Sequence, residues 1–261
     1  MNVYASITDF PLYTSLDTFF HGFKNAGVDG VEIVGGYKSR WSLSHLFKVS
    51  EKYELPIVSF HQPIWSGVGV YFDEMFFKAI AGHGVHYVTF HPLTFSSFTS
   101  AAMKKYLTNL SNLQEKYDIH VLIENMSNEF GYTKLFDSSA GSMLHHLETV
   151  HAIAQEYGFL LTFDISHAEF TRPDTQAIFS QMFPLIGVVH LSSFVHGTHH
   201  LPLTQGTFEL EPFLGFLKKK DYKGKIILEV NHDIMKRLLL PYDFGAIKDS
   251  VNAIRKITDR W

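Results

Sequence analysis

The chain of 261 residues contains no cysteine. Disulfide bonds, thiolate metal ligands and a cysteine nucleophile are therefore excluded, and the composition fits a reducing compartment. Any metal ion must be bound through nitrogen and oxygen atoms.

Excess positive charge and long apolar segments are also missing. Lysine and arginine number 22 against 26 aspartates and glutamates, a formal net charge of −4, so nucleic acid is disfavoured as a partner. No segment approaches the roughly 18 apolar residues of a membrane span, and Met1–Phe10 lacks the basic and apolar regions of a signal peptide. We expect a cytoplasmic protein without a membrane partner.

Short apolar runs rich in β-branched residues alternate with longer amphipathic stretches along the whole chain, a pattern typical of parallel α/β folds. The predicted strands are Val3–Ser6, Gly30–Val34, Ile57–Phe60, Tyr87–Phe90, His120–Ile123, Leu160–Phe163, Gly187–Leu191 and Ile226–Leu228. The predicted helices are Ser15–Asn25, Ser42–Tyr53, Phe72–His83, Ala101–Tyr117, Ser142–Tyr157, Asp174–Met182, Pro212–Lys219 and Asp243–Arg260. The longest predicted loops are Ser127–Gly141 and Phe194–Leu210.

Eight units of each kind predict a (β/α)8 TIM barrel that forms a single domain over residues 1–261. An open doubly wound sheet needs the same alternation. It is disfavoured because no glycine-rich phosphate turn follows the first strand.

Ionisable side chains end or directly follow six of the predicted strands: His61, His91, Glu124, Asp164, His190 and Glu229. The carboxyl ends of barrel strands converge on one mouth, where a buried carboxylate is costly unless a cation offsets its charge. The sequence therefore predicts a metal site. Three carboxylates with one imidazole suit Mn2+, Mg2+ or Co2+, and more histidine ligands would favour Zn2+.

Each of these residues also has a simpler structural explanation. A lone His61 or His91 is more often a core or loop histidine than a ligand. Glu124 and Glu229 each end an apolar run and would need ion-pair partners that their sequence neighbours do not supply. Glu32, within a predicted strand, fits a substrate contact and a buried ion pair equally well.

The strand-end motifs, taken in order, carry a resemblance to a known superfamily. They are GVDGVEI around Glu32, SFHQP, TFHP, IEN, FDISHA, VHLSS, HLPLTQG and ILEV. Over nearly its whole length the chain resembles the xylose isomerase-like barrels, which include sugar and hydroxypyruvate isomerases, ketose 3-epimerases, inosose dehydratases and the endonuclease IV branch.

For an isomerase or epimerase, the resemblance implies one divalent metal held by Glu124, Asp164, His190 and Glu229. The metal would bind the carbonyl and adjacent hydroxyl oxygens of a small sugar-like substrate. Glu124 and Glu229, on opposite sides, would move a proton through an ene-diolate. The remaining histidines, which are His61, His91, His167 and His200, are expected to contact the substrate.

The endonuclease IV branch implies another chemistry, a metal-dependent phosphoesterase with three zinc ions. Every ligand position of that branch is filled here except one, since Thr198 stands where the branch has aspartate. A hydroxyl does not replace a carboxylate charge, so the full cluster is in doubt while a second metal stays open.

The epimerase pattern departs as well, because Val195 and His196 stand where some epimerases carry arginine. A third alternative is a barrel that binds a ligand and keeps its metal site without catalysis. Aromatic residues that would form sugar-binding walls or simply pack are Trp41, Trp65, Phe95–Phe98 and Phe130. A homodimer stays open.

Overall fold

A closed barrel of eight parallel strands forms the centre of the molecule. The computed structural model describes residues 1–7, 14–35, 41–63, 72–91, 101–126, 143–170, 173–195, 198–230 and 242–261. In this part of the chain the barrel strands are β1 (Val3–Ile7), β2 (Gly30–Val34), β3 (Ile57–His61), β4 (Tyr87–Phe90), β5 (His120–Glu124), β6 (Leu160–Asp164), β7 (Ile186–Leu191) and β10 (Lys225–Leu228). Pairing of β10 with β1 closes the ring, which confirms the predicted (β/α)8 barrel.

Helices follow the strands and cover the outside of the barrel. They are α1 (Leu16–Ala26), α2 (Leu43–Tyr53), α3 (Glu74–Ala81), α4 (Ala101–Tyr117), α5 (Met143–Tyr157), α6 (Pro173–Met182), α7 (Leu210–Lys219) and α8 (Phe244–Thr258). Side-chain caps decide where several of them begin. Ser15, Ser42 and Asp73 each accept a hydrogen bond from the backbone N–H three residues later, which satisfies a donor that the first helical turn leaves unpaired.

The predicted loop Phe194–Leu210 is wrong in part, because it contains an antiparallel strand pair. The pair consists of β8 (Ser193–Val195) and β9 (Thr198–Leu201). Neither strand has an apolar alternation that the sequence could reveal. The segment after β9 returns to pack against β8. In this segment Gly206 adopts a φ of +79°, and a Cβ on Gly206 would lie 2.6 Å from the carbonyl oxygen of Phe194 on β8. The other predicted long loop, Ser127–Gly141, lies outside the described residues.

Apolar residues form two separate clusters. The larger one fills the space between the strands and the helices and is rich in phenylalanine. The smaller one contains Tyr4, Leu122, Val188 and Ile227. Leu122, Val188 and Ile227 precede Glu124, His190 and Glu229 by two positions on their strands, so these pairs share the inner face of the barrel. We call the smaller cluster the apolar floor, because it lies beneath the strand-end polar residues.

Trp41 packs in the larger core, with its ring 6.1 Å from that of Phe19. The other aromatic residues considered for sugar contact, which are Trp65, Phe95–Phe98 and Phe130, lie outside the described residues. None of the helices that the structure describes is long and apolar enough to cross a membrane.

Gly30 on β2 tests how closely the barrel is packed. A Cβ at Gly30 would lie 2.7 Å from the Pro56 carbonyl oxygen and 3.0 Å from the Tyr4 ring. We expect Gly30→Ala to lower the free energy of unfolding in urea by roughly 1–3 kcal/mol, the usual cost of overpacking. Gly82→Ala is the matched control, because no described atom lies within 4 Å of its added Cβ. Similar losses in both variants would contradict the close packing at Gly30.

Candidate metal centre

Three carboxylates and one imidazole converge at the mouth of the barrel. Glu124 ends β5, Asp164 ends β6, His190 lies in β7 and Glu229 directly follows β10. Asp164 and His190 are paired across β6 and β7. One ligand atom from each of the four residues lies within 4.8 Å of the others. The structure therefore brings together the four residues that the sequence predicted as metal ligands.

A single helical turn after β6 places Asp164 and His167 on one side. The Asp164 Oδ1 atom accepts hydrogen bonds from the His167 backbone N–H (2.6 Å) and the Ser166 hydroxyl (2.9 Å). The turn ends at Glu169, whose φ is +45°. Because Oδ1 is occupied by these two donors, Oδ2 is the oxygen of Asp164 that faces the site.

Asn125, for which the sequence predicts no role, links the end of β5 to this turn. Its side-chain amide donates to the Asp164 carbonyl (3.0 Å) and accepts from the Asp164 N–H (2.8 Å). Gln62, which follows β3, makes a related link to the residue after β4, since its side-chain oxygen accepts from the His91 N–H (3.1 Å). Both amides directly follow a strand-end ligand candidate, and this position is the signal that could have found them.

Glu124 is the most heavily contacted carboxylate of the centre. Its Oε1 lies 2.9 Å from His190 Nδ1. Its Oε2 lies 3.1 Å from His61 Nε2 and 2.9 Å from His91 Nε2. His61 and His91 are therefore buried neighbours of the proposed ligand set, and the sequence expectation that they contact substrate stays a prediction.

His167 and His200 form a second group with Asp164. The His167 Nδ1–H donates to the Asn125 carbonyl (3.0 Å), and its Nε2 lies 3.1 Å from His200 Nε2. A backbone carbonyl on one ring nitrogen is the usual support of a histidine that binds metal through the other nitrogen. His200 adopts a φ of +58°, which directs it from β9 toward Asp164, and the ligand atoms of the three residues lie within 4.8 Å of one another.

Comparison with known proteins assigns the chain to a family. Its sequence matches the family described as "Xylose isomerase-like TIM barrel" over residues 77–257, more than half of the chain. The chain belongs to this family. No curated protein matches its sequence significantly.

Solved structures with the same fold differ widely in sequence from this xylose isomerase-like barrel. D-allulose 3-epimerase from Methylomonas sp. superposes with a TM-score of 0.71 at 13% identity, covering 98% of this chain and 97% of that chain. For 3-keto-D-glucoside 4-epimerase from E. coli the TM-score is 0.68 at 15% identity, with 98% and 99% covered. An AP endonuclease of family 2 from Brucella melitensis gives 0.66 at 14% identity, with 88% and 93% covered. At such identities the likeness establishes the fold.

The charges of the centre depend on one another. Burial alone raises the pKa of Glu124, but the charge of His61 and hydrogen bonds from His190, His61 and His91 hold it well below its usual range. Burial likewise opposes the shift at Glu229, whose pKa is lowered mainly by the charge of His190. Burial lowers the pKa of His190, but the charges of Glu32 and Glu229 raise it well above its ordinary value.

The donor set fits a divalent cation. His190 Nδ1 lies 2.9 Å from Glu124 Oε1, 2.7 Å from Glu229 Oε2 and 4.0 Å from Asp164 Oδ2. Glu229 Oε2 and Asp164 Oδ2 have no hydrogen-bond partner among the described residues. Ligand atoms at opposite sides of a metal with bonds of roughly 2.0–2.2 Å are about 4.2 Å apart, so small adjustments would close this set on one ion.

The opposite pKa shifts predict how pH and metal affect stability. Raised pKa values of His61, His167 and His190 stabilise the fold below the ordinary histidine value of 6.5, and this contribution is lost as pH rises through the raised values. Lowered pKa values of Glu32, Glu124 and Glu229 contribute above 4.5, and this is lost as pH falls through the lowered values. Burial lowers the pKa values of His91 and His200, so the unfolded state binds protons at these two residues more readily as pH falls below 6.5. Without metal, the carboxylates and the three histidines with raised pKa values contribute together between 4.5 and 6.5, and His91 and His200 oppose them there.

We expect a divalent cation to raise Tm more at about pH 8.5 than at about pH 6, because it replaces the histidine charge lost at high pH and competes with protons at low pH. Differential scanning calorimetry with Mn2+ or with a chelator measures both shifts. The exposed variant Glu211→Gln should behave as wild type. An equal Tm shift at the two pH values would contradict the coupled charges.

Proposed function

We propose that the protein is a divalent-metal-dependent isomerase or epimerase that acts on a small sugar, sugar phosphate or related ketone. The observation that carries this proposal is the approach of two glutamates, Glu124 and Glu229, to the same nitrogen of His190, with Asp164 beside them. The names of the similar structures, which include epimerases of allulose and of a 3-keto-glucoside, support a sugar-like substrate. We further propose that the protein works in the cytoplasm, in keeping with its lack of cysteine.

In this proposal Glu124, Asp164, His190 and Glu229 hold the metal. A bound divalent cation supplies electrostatic stabilisation of negative charge on a substrate carbonyl oxygen. The histidines next to the carboxylates present ring nitrogens to the substrate: His61, His91 and His167, which are buried, and His200, which is partly buried. The apolar floor prevents water from reaching the centre from below.

Glu124 and Glu229 are the proton-transfer pair. They come from β5 and β10, which are separated in the barrel by β6 and β7, so they approach a substrate from different sides. Their lowered pKa values keep both ionised, the form that accepts a proton. One glutamate removes the proton from the carbon next to the carbonyl, and the electrons of the broken C–H bond pass to the carbonyl oxygen as an ene-diolate. Return of a proton to the former carbonyl carbon, with transfer of the hydroxyl proton to the other oxygen, gives isomerisation. Return of a proton from the second glutamate to the opposite face of the original carbon gives epimerisation.

Proton transfer is tested directly by hydrogen exchange. Mn2+-loaded or Co2+-loaded protein in D2O should incorporate deuterium next to the carbonyl of a ketose from a broad panel, as measured by NMR. Glu124→Gln and Glu229→Gln should each reduce the rate by at least about 100-fold, because general acid–base catalysis typically contributes roughly 10²–10⁴-fold.

Glu211→Gln serves as the control, because that glutamate lies on the outer helix α7 and pairs with Arg260. Metal content is measured in every variant, so that a lost base and a lost metal are told apart. If the metal-loaded wild type exchanged no proton of any ketose tested, the proposal would fail.

A second candidate is a phosphoesterase that uses more than one metal ion. Two further groups favour it: His61 and His91 beside Glu124, and His167 with His200 beside Asp164. Imidazole-rich groups of this kind suit Zn2+. Adjacent metal ions would activate a water molecule and stabilise the leaving oxygen of a phosphate ester.

Metal stoichiometry separates the two candidates. The isomerase proposal predicts one tightly bound ion per chain by plasma mass spectrometry after dialysis, because Thr198 supplies no carboxylate to the second group. Thr198→Asp should add a further Zn2+, whereas Thr198→Ser should leave the count unchanged. Two or more tightly bound Zn2+ ions in the wild type, with hydrolysis of phosphate esters, would favour the phosphoesterase.

A further inference from the structure

Glu32 is a buried acid that the proposed proton transfer does not use. It lies in the middle of β2, is fully buried, and shares the barrel interior with the centre. Its Oε1 accepts a hydrogen bond from the Ser6 hydroxyl (2.7 Å) and lies 3.1 Å from His190 Nε2. Between the two explanations that the sequence left open for Glu32, the structure favours the buried ion pair.

The two nitrogens of His190 have different surroundings. Nδ1 faces the carboxylates of Glu124 and Glu229, and Nε2 faces β2. A neutral imidazole that binds metal through Nδ1 must carry its proton on Nε2, and a buried N–H needs an acceptor. Glu32 provides a carboxylate on that side of the ring.

The position of Glu32 is fixed independently of His190. Ser6 and Glu32 are register partners on β1 and β2, and the hydroxyl of Ser6 holds the oxygen that lies near His190. On β1, Tyr4 of the apolar floor lies two positions before Ser6. The side chain beneath the Ser6–Glu32 hydrogen bond on this strand therefore belongs to the apolar floor. A carboxylate in such surroundings is costly, and contact with His190 offsets that cost.

We propose that Glu32 is a positioning residue, held by Ser6, which keeps the proton of His190 on Nε2 and directs Nδ1 to the metal. This role rests on the proposed metal centre, because His190 is one of its ligands. Glu32 itself touches neither metal nor substrate. Supporting acceptors of this kind typically change metal affinity by roughly 10–100-fold.

The test compares metal binding and tautomer state. We expect Glu32→Leu, which removes the acceptor, to weaken Co2+ binding by about 10–100-fold in a spectrophotometric titration and to change the visible Co2+ spectrum. Nitrogen NMR of the Zn2+-loaded wild type should show His190 protonated on Nε2, and the variant should lose this single state. Glu32→Gln keeps the shape and one acceptor oxygen, and its smaller loss of affinity tests the proposal if Glu32→Leu fails to fold.

Ser59→Ala is the matched control. Ser59 is the register partner of Glu32 on β3 and is fully buried, and its hydroxyl has no hydrogen-bond partner among the described residues. Unchanged Co2+ affinity and tautomer in both Glu32 variants would overturn the positioning role while leaving the metal centre intact. An equal loss in Ser59→Ala would also overturn it, since packing would then explain the effect. A wild type that binds no Co2+ would overturn the metal centre itself.

Discussion

The arrangement of this barrel depends on the cost of burying negative charge. Glu32, Glu124, Asp164 and Glu229 all lie inside or at the mouth of a closed sheet, and none is more than about a tenth exposed. Carboxylates in such surroundings stay ionised only beside positive charge or strong hydrogen-bond donors. The histidines supply part of this compensation, and a divalent cation fits the space where two carboxylate oxygens have no partner in the described part of the chain.

The interior of the barrel is divided into layers, which keep the buried carboxylates beside groups that compensate their charge. At the bottom, the apolar floor closes the sheet. Above it, Ser6 and Glu32 form a polar layer against one side of His190. The carboxylates at the mouth form the upper layer against the other side. Because side chains alternate along each strand, β5, β7 and β10 each supply the apolar floor and the upper layer, whereas β1 supplies the floor and the middle layer. His190 connects the upper two layers.

The backbone at the mouth is held by side chains as well as by the sheet. Asn125 binds the peptide group of Asp164, and Gln62 binds the N–H of His91. Each amide continues the pairing of neighbouring strands beyond the last ladder hydrogen bond. Ligand candidates on adjacent strands are therefore fixed relative to one another, and this rigidity is what a metal site or a proton-transfer pair requires.

The two proposed chemistries, isomerisation or epimerisation and phosphate-ester hydrolysis, would use the same carboxylates and differ in the use of the histidines around them. Glu124 belongs to the four-residue ligand set and also contacts His61 and His91, while Asp164 belongs to that set and to the group with His167 and His200. In the proposed isomerase the four-residue set would hold one cation, and in the proposed phosphoesterase the neighbouring histidines would help to hold further cations.

The sequence by itself determined the barrel and the identity of the polar residues at its mouth. Strand and helix periodicities are local, and a charged residue at the end of an apolar run is visible without any knowledge of contacts. The sequence did not determine the β8–β9 pair or the left-handed backbone of His200, because both depend on packing against distant segments. It also left Glu32 undecided, since its partner His190 comes from β7, three strands away around the barrel. Closure of the sheet brings these residues together, and only the tertiary structure decides which nitrogen of His190 faces Glu32 and which faces Glu124, Glu229 and the proposed metal site.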